Sequence, residues 1–213
     1  SDRIKKDGLF DEVTGSLDAE GIAWTEFGGI SPNPTAESVY AGIAKAVSEG
    51  VDFLLAIGGG SPIDAAKGIA LGAVTTEDFW NFYNGTSRPV AALPVGVVLT
   101  IPAAGSEGSG NSVITNEKTH QKISVRYPFL LRPRFAVMNP ELTYSLPWFQ
   151  TACGIVDMMA HIYERYFSPT EGTQLVDAYS EAILRDVMDE AVTLRMDGGN
   201  YDARADVMWA GTL

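Results

Sequence analysis

Ala56-Ile57-Gly58-Gly59-Gly60-Ser61-Pro62-Ile63-Asp64-Ala65-Ala66-Lys67 is the stretch that decides the fold. The segment before it, Val51 to Ile57, is short and apolar with no helical period, as expected of a parallel strand buried on both faces. Ser61 stands where a helix N-cap would stand. Pro62 suits the first helical position, where its missing N–H is not needed. Asp64, three residues after Ser61, completes a capping-box pattern with a shorter acid than usual. Three consecutive glycines let backbone N–H groups approach a ligand without Cβ obstruction, and a helix N-terminus adds unpaired donors and a positive dipole end. The pattern therefore predicts a strand, a bare turn and a helix start. Such a turn is either a phosphate or pyrophosphate seat, or a tight strand-to-helix connection with no ligand. It matches neither the G-x-G-x-x-G fingerprint nor the P-loop, in which Lys and Ser/Thr close the glycine run.

Working outward, strand and helix signals alternate through the first two thirds of the chain. Residues 4–20 read as a helix, with Leu9, Val13 and Leu17 at i+4 spacing and Gly21 at its end. Ile22 to Phe27 reads as a short strand and Ser31-Pro32-Asn33-Pro34 as a rigid loop. A helix follows from Thr35, with Val39, Ile43 and Val47 on one face and Gly50 beyond its end. The helix after the glycine turn closes at Gly72, and 75–89 reads as a loop or short helix. Val95 to Ile101 is a second buried strand, running into the small-residue loop 102–110. Ser112–Thr115 and Lys122–Arg126 predict a hairpin around a polar turn, and Phe135–Met138 a last short strand. From Trp148 onward every segment reads as helix, over 148–166, 170–191 and 202–213. This change of pattern predicts a domain boundary near 140–147: an α/β unit over 1–146 and a helical unit from 147 to 213.

Composition limits the function classes. The chain has 213 residues, is 46% apolar and 20% charged, and carries a net charge of −12. Such an acidic surface repels nucleic acid and anionic lipid, so phosphate binding has to be local. No apolar run reaches the roughly 20 residues of a membrane helix. The single cysteine, Cys153, excludes an internal disulfide and favours a reducing compartment, hence the cytoplasm. The sequence starts without Met or a leading strand and ends in an apolar stretch, so a piece of a longer protein is expected.

A second constellation lies in Gly154-Ile155-Val156-Asp157-Met158-Met159-Ala160-His161. Asp157 and His161 are four apart on a predicted helix, so their Cβ atoms lie about 5–6 Å from each other on one face. Their apolar neighbours predict a mostly buried helix, where an uncompensated charge is costly. Either a metal ion, for which Asp oxygen and His nitrogen are standard ligands, or a plain Asp–His hydrogen bond resolves that cost. Two ligands do not make a site. The other histidine, His120, falls in the polar hairpin turn, and Cys153 lies one helical turn before Asp157.

Taken together, these stretches resemble the iron-containing alcohol dehydrogenase family, in its branch of NADPH-dependent butanol dehydrogenases and aldehyde reductases. The residues that carry the resemblance are 27–34 (FGGISPNP), 58–64 (GGGSPID), 99–107 (LTIPAAGSE), 139–147 (NPELTYSLP) and Gly154–Asp157 through His161, in the family's order and spacing across nearly the whole chain. The resemblance implies a Rossmann-like parallel-sheet domain followed by an all-helical domain, truncated here, with the active site between them. It implies that Gly58, Gly59, Gly60 and Ser61, with Asp64 beside them, seat the pyrophosphate. Thr100 and Ser106 match the second cofactor loop, and Lys122 matches a hairpin lysine that reaches the ribose. Asp157 and His161 match the first two metal ligands, which two further histidines on later helices complete in the family. The implied cofactors are NADP, with NAD possible, and Fe(II) or Zn(II); the implied substrates are a small alcohol and its aldehyde, and the implied assembly a homodimer. Two departures stand out: the family's first strand and later histidines are absent, and Ala104 replaces a frequent Thr. Three alternatives stay open: a glycerol dehydrogenase or dehydroquinate synthase type of enzyme, a non-catalytic nucleotide-binding module, and an interaction fragment with no ligand.

Overall fold

The computed structural model describes residues 2–213. Its centre is a three-stranded parallel sheet in the order β1-β2-β5, built from β1 (Leu54–Gly58), β2 (Val95–Leu99) and β5 (Phe135–Val137). All five residues of β2 are buried, because it is the middle strand and is covered on both faces. The crossover from β1 to β2 contains α4 (Gly60–Gly72), and α3 (Ala36–Ser48) packs beside α4. Thr35 starts α3 by accepting a hydrogen bond from Ser38 N at 3.2 Å. The buried stripe of α3 is Ala36, Val39, Gly42 and Ala46; Val47, expected inside, is exposed. Gly42 and Gly72 admit the Ile69 and Ile43 side chains into the space a Cβ would fill, which brings these two helices close together.

The hairpin β3 (Asn111–Asn116) and β4 (Gln121–Arg126) forms where the sequence places it, antiparallel and in register from Asn111–Arg126 to Asn116–Gln121. Asn116 Oδ1 closes its turn by accepting from Lys118 N and Thr119 N. A core of Val39, Leu71, Phe79, Tyr83, Ile114 and Leu131 joins α3, α4, the short α5 (Trp80–Tyr83), the hairpin and α6 (Pro128–Leu131).

After a 3₁₀ turn at Pro140–Thr143, the chain is helical: α7 (Trp148–Tyr166), α8 (Gln174–Met196) and α9 (Tyr201–Ala210). They share a core of Ile155, Met158, Val187, Leu194 and Val207. Met208 of α9 is buried instead among Ala56, Ile63, Val97 and Leu99, so α9 fastens the helices to the sheet.

Three local expectations are corrected. The helix over 4–20 is two helices, α1 (Asp2–Lys6) and α2 (Leu9–Ala19), because Gly8 adopts φ 79° between them. Ile22–Phe27 is not a strand: no strand lies beside it among the described residues, and Ile22 and Trp24 are exposed. The middle helix of the C-terminal part starts later than expected, at Gln174, with Gly172 at φ 77° just before it, and runs on to Met196.

Candidate functional site

The glycine turn sits at the C-terminal end of β1, in the position where open parallel sheets place ligands. Its three glycines differ. Gly58 has φ 151°, and a Cβ there would stand 2.8 Å from Pro62 Cγ. Gly59 is the N-cap of α4, and its Cβ would lie 3.2 Å from Ile101 Cβ. Gly60 is exposed, and a Cβ on it would meet nothing within 4 Å. The turn is thus packed on its inner side and open above Gly60. Pro62 has no N–H and Ile63 N donates to Gly59 O at 3.4 Å, so the N–H groups of Gly60 and Ser61, which have no carbonyls inside the helix, form the donor pair at its start.

Ser61 is not the cap. It lies one residue inside α4, where its hydroxyl accepts from Asn33 N at 3.3 Å. Asn33, at φ 56°, in turn takes a 2.7 Å hydrogen bond from Lys122 Nζ on its Oδ1. The structure therefore brings Lys122 and the loop Ser31–Pro34 to the rim of the glycine turn, beside Gly58, Gly59, Gly60 and Ser61. Thr100 continues the β1–β2 ladder, donating its N–H to Gly58 O at 3.0 Å. It also lines a cleft of about 230 Å³ with Arg3, Asp7, Glu141 and Tyr144.

Asp64 does not close a capping box either. Its carboxylate accepts from Ser106 Oγ at 2.6 Å and from Val113 N at 3.0 Å. Burial pushes its carboxyl above the usual range, against the opposing pull of the Ser106 bond, the Lys67 charge and the Val113 N–H. Three residues on, Lys67 is fully buried. Its ammonium donates to Ser106 O (2.6 Å), Ser106 Oγ (3.0 Å), Ser109 O (2.9 Å) and Asn111 O (2.8 Å). Burial lowers its pKa to about 8, with Asp64 and Glu107 pulling the other way. The Ser112 hydroxyl donates to Asp64 O and shares a 2.6 Å contact with the Tyr83 hydroxyl. The sequence marks no role for Lys67, Glu107 or Ser112; the i, i+3 spacing of Asp64 and Lys67 is the one signal it carries.

Asp157 and His161 do share one face of α7, with Nε2 and Oδ1 3.9 Å apart. The expected burial is corrected: their side chains are 49% and 45% exposed. The buried stripe of α7 is Thr151, Gly154, Ile155, Met158 and Ile162, and the pair lies off it. Cys153 is exposed, and so is His120 in the hairpin turn. Two atoms that each bind one ion at about 2.1 Å can stand no more than about 4.2 Å apart. The O and N donors thus fit two positions around one divalent metal. Among the described residues no third His, Cys, Asp or Glu joins them; the one such group of three is Asp186, Glu190 and Asp206. In that group burial, then like charge, raises the Asp186 and Glu190 carboxyls.

The loop after β2 connects the two regions. A Cβ on Gly154 would stand 2.5 Å from Pro102 O, and one on Gly105 (φ 69°) 2.6 Å from Gly211 O. Thr212 Oγ1 donates to the buried Glu107 at 2.6 Å. One side of the loop is therefore bonded to Lys67 and Asp64 on α4. The other side abuts α7 one turn before Asp157.

Comparison with known proteins identifies the family. The family model for iron-containing alcohol dehydrogenase matches residues 1–140, and the model for the C-terminal part of the Fe-containing alcohol dehydrogenase family matches residues 151–213. Probable NADH-dependent butanol dehydrogenase 2 of Bacillus subtilis is 42% identical over 210 residues, 99% of this chain and 54% of the relative. The NADPH-dependent aldehyde reductase YqhD of Escherichia coli is 37% identical over 212 residues, 98% of this chain and 54% of the relative. The crystal structure of NADH-dependent butanol dehydrogenase A from Thermotoga maritima superimposes with a TM-score of 0.93 at 38% identity, covering 100% of this chain and 53% of that one. The chain spans about half the length of the relatives it matches.

Proposed function

The chain belongs to the iron-containing alcohol dehydrogenase family, and from that premise we propose that the whole protein interconverts a primary alcohol and its aldehyde by hydride transfer with a nicotinamide dinucleotide. The observation that carries the proposal is the placing of two open features on either side of one loop. The turn, bare above Gly60, packs through Gly59 against Ile101, and Gly154, one helical turn before Asp157, packs against Pro102, so the segment after β2 lies against both elements. The relatives, a probable butanol dehydrogenase and an aldehyde reductase, favour this reading over a glycerol dehydrogenase type.

Gly58, Gly59, Gly60 and Ser61 bind the pyrophosphate through backbone N–H groups at the start of α4. Lys122, already at the rim through Asn33, adds the one local cation an acidic chain needs there. Ser106 and Thr100 shape the second side of the coenzyme seat, and Asp64 fixes Ser106 by accepting its hydroxyl proton. Asp157 and His161 would hold two positions of a divalent metal, Fe(II) or Zn(II), whose chemistry is Lewis acidity toward the substrate oxygen. The exposed face of α7 leaves both donors free to turn toward it. The chain needs no nucleophile of its own, since the coenzyme carries the hydride. NADP is the coenzyme we assign. The relatives' names divide between NADH and NADPH, so parallel titration with both forms is part of the test. We also assign the seat to a unit over 1–146, the metal pair to a unit from 147 onward, the assembly to a homodimer and the location to the cytoplasm. No helix among the described residues is long and apolar enough to cross a membrane.

The test is Asp157→Ala and His161→Ala in the whole protein. Each is expected to lower metal content and NAD(P)H-linked aldehyde reduction together, while coenzyme affinity stays within about twofold, or roughly 0.4 kcal/mol. Full metal content and turnover in either variant would falsify the ligand assignment.

A further inference from the structure

Lys67 combines two properties that rarely meet. It is a lysine with no solvent exposure at all, and its ammonium faces four oxygen acceptors, three of them backbone carbonyl or hydroxyl groups of residues 106–109. Lysine is almost never fully buried unless paired. Here, though, the ammonium touches no carboxylate: Asp64 is reached only through the Ser106 hydroxyl, which takes a bond from Lys67 and gives one to Asp64. An ammonium has three protons, so all of them are spent on one segment of chain, from Ser106 to Asn111. Lys67 therefore does for this loop what a strand partner does for a strand. It gathers carbonyls that a loop cannot pair within itself, and it does so from the helix that starts at the glycine turn.

We propose that Lys67 is a positioning residue for coenzyme binding: its protonated ammonium holds the 106–111 loop in register with the glycine turn, so that both sides of the coenzyme seat are formed before the coenzyme arrives. This rests on the proposed coenzyme seat. A neutral amine has one proton fewer and loses the charge that makes such bonds strong, so deprotonation releases part of the loop and lowers affinity. The charged and titratable groups that face Lys67 are Asp64 on its own helix and Glu107 on the loop. Lys122 on β4, and Tyr83 and Tyr127, act on the same network through Asp64 and Tyr83. Burial moves the Tyr83 hydroxyl upward, away from the neutral range, whereas it brings Lys67 to about 8. Of the shifted groups in this network, Lys67 is the one whose protonation changes between pH 7 and 9.5.

The experiment measures NADPH and NADH binding by fluorescence between pH 7 and 9.5. It uses the whole protein, treated with EDTA so that no metal-bound water titrates. For the unsubstituted protein the dissociation constant is expected to rise at least fivefold over that range. Lys67→Met should bind at least tenfold more weakly at pH 7, with a flat profile. Lys67→Arg, which stays charged, should show a flat profile whatever its affinity. A residue that merely fills space would change affinity without removing the pH dependence. Gly60→Val serves as the control. If it loses affinity at every pH but keeps the pH-dependent rise, the seat and the role of Lys67 both stand. If it binds coenzyme normally, the seat itself is wrong. If it weakens binding while Lys67→Met binds as the unsubstituted protein does, the seat stands and the role of Lys67 falls. Should neither Lys67 variant fold, the profile of the unsubstituted protein decides: a flat one overturns the proposal and a rise supports it.

Discussion

Gly60→Val separates a ligand seat from a mere turn, because the structure gives the fold no reason to object to it. A Cβ at Gly60 meets nothing within 4 Å, the residue is exposed, and it stands at the first position of α4. Replacing glycine where the backbone already suits other residues stabilises by about 0.4–1 kcal/mol through the unfolded chain. The β-branched side chain gives back a few tenths of that in a helix. The folded state should therefore change by less than about 0.5 kcal/mol, with no loss of denaturant midpoint. Coenzyme binding should behave oppositely. The isopropyl group would occupy the space through which a pyrophosphate oxygen reaches the Gly60 and Ser61 N–H groups. A hydrogen bond to a charged group contributes about 1.5–3 kcal/mol, so losing one lowers affinity by roughly tenfold to a hundredfold. The assays are chemical unfolding, and fluorescence titration with NADPH and NADH, on the same preparation. Normal affinity in a variant of normal stability would refute the reasoning, since nothing else about the turn would then need to be bare. Gly59→Val is a poorer probe, because its Cβ already meets Ile101 at 3.2 Å and lost binding could reflect a shifted strand.

Two further outcomes concern stability. Gly154→Ala sets a methyl group 2.5 Å from Pro102 O; the overpacking should cost about 1–3 kcal/mol, partly offset by about 1 kcal/mol of helix propensity, and an unchanged midpoint in urea would show that α7 does not rest on this loop. Lys67 has a folded pKa of about 8 against an ordinary 10.5, so between these values the unfolded chain binds more protons and stability rises with pH through this group. Relative to Lys67→Met, the unsubstituted protein should gain about 2.5 kcal/mol between pH 7 and 10, and equal pH slopes in the two proteins would contradict the burial of the charge. The sign is opposite to that expected for coenzyme affinity, so the two measurements cannot both be produced by general alkaline unfolding.

Much of this architecture is legible in the chain because its signals are local. The run Val51–Ile57, the glycines and Pro62 lie within a dozen residues, and a strand, a turn and a helix form there in that order, with β1 starting at Leu54 rather than Val51 and α4 capped at Gly59 rather than Ser61. The hairpin is marked by two β-branched runs around a polar turn. What was missed depends on partners distant in sequence. Ile22–Phe27 has strand composition, but a strand exists only beside another, and no ladder reaches these residues. The burial of Lys67 could not be read, because its acceptors are mostly backbone carbonyls 39 to 44 residues further on, which have no side-chain signature. The exposure of Asp157 and His161 departs from expectation for a different reason. Apolar neighbours along the sequence predict burial, whereas the periodicity of α7 sets the buried stripe on Thr151, Gly154, Ile155, Met158 and Ile162.

The loop after β2 explains why so many of the family-matching residues are small. Its carbonyls point two ways: those of Ser106 and Ser109 toward the Lys67 ammonium, that of Pro102 toward α7. A segment bonded on both sides leaves no room for side chains at its crossings. Gly105, Gly154 and Gly211 stand at those crossings, each with a backbone carbonyl or a methionine side chain closer than about 3 Å to the space a Cβ would need. Glu107 adds a directional tie through the Thr212 hydroxyl at 2.6 Å. The helix that bears Asp157 and His161 is thus indexed to the same loop that Lys67 indexes to the glycine turn. Interiors packed at this density shift as units rather than deform continuously. A change at any one crossing should therefore move the proposed metal pair and the proposed coenzyme seat relative to each other, and the proposed hydride transfer would be the step most sensitive to such a displacement.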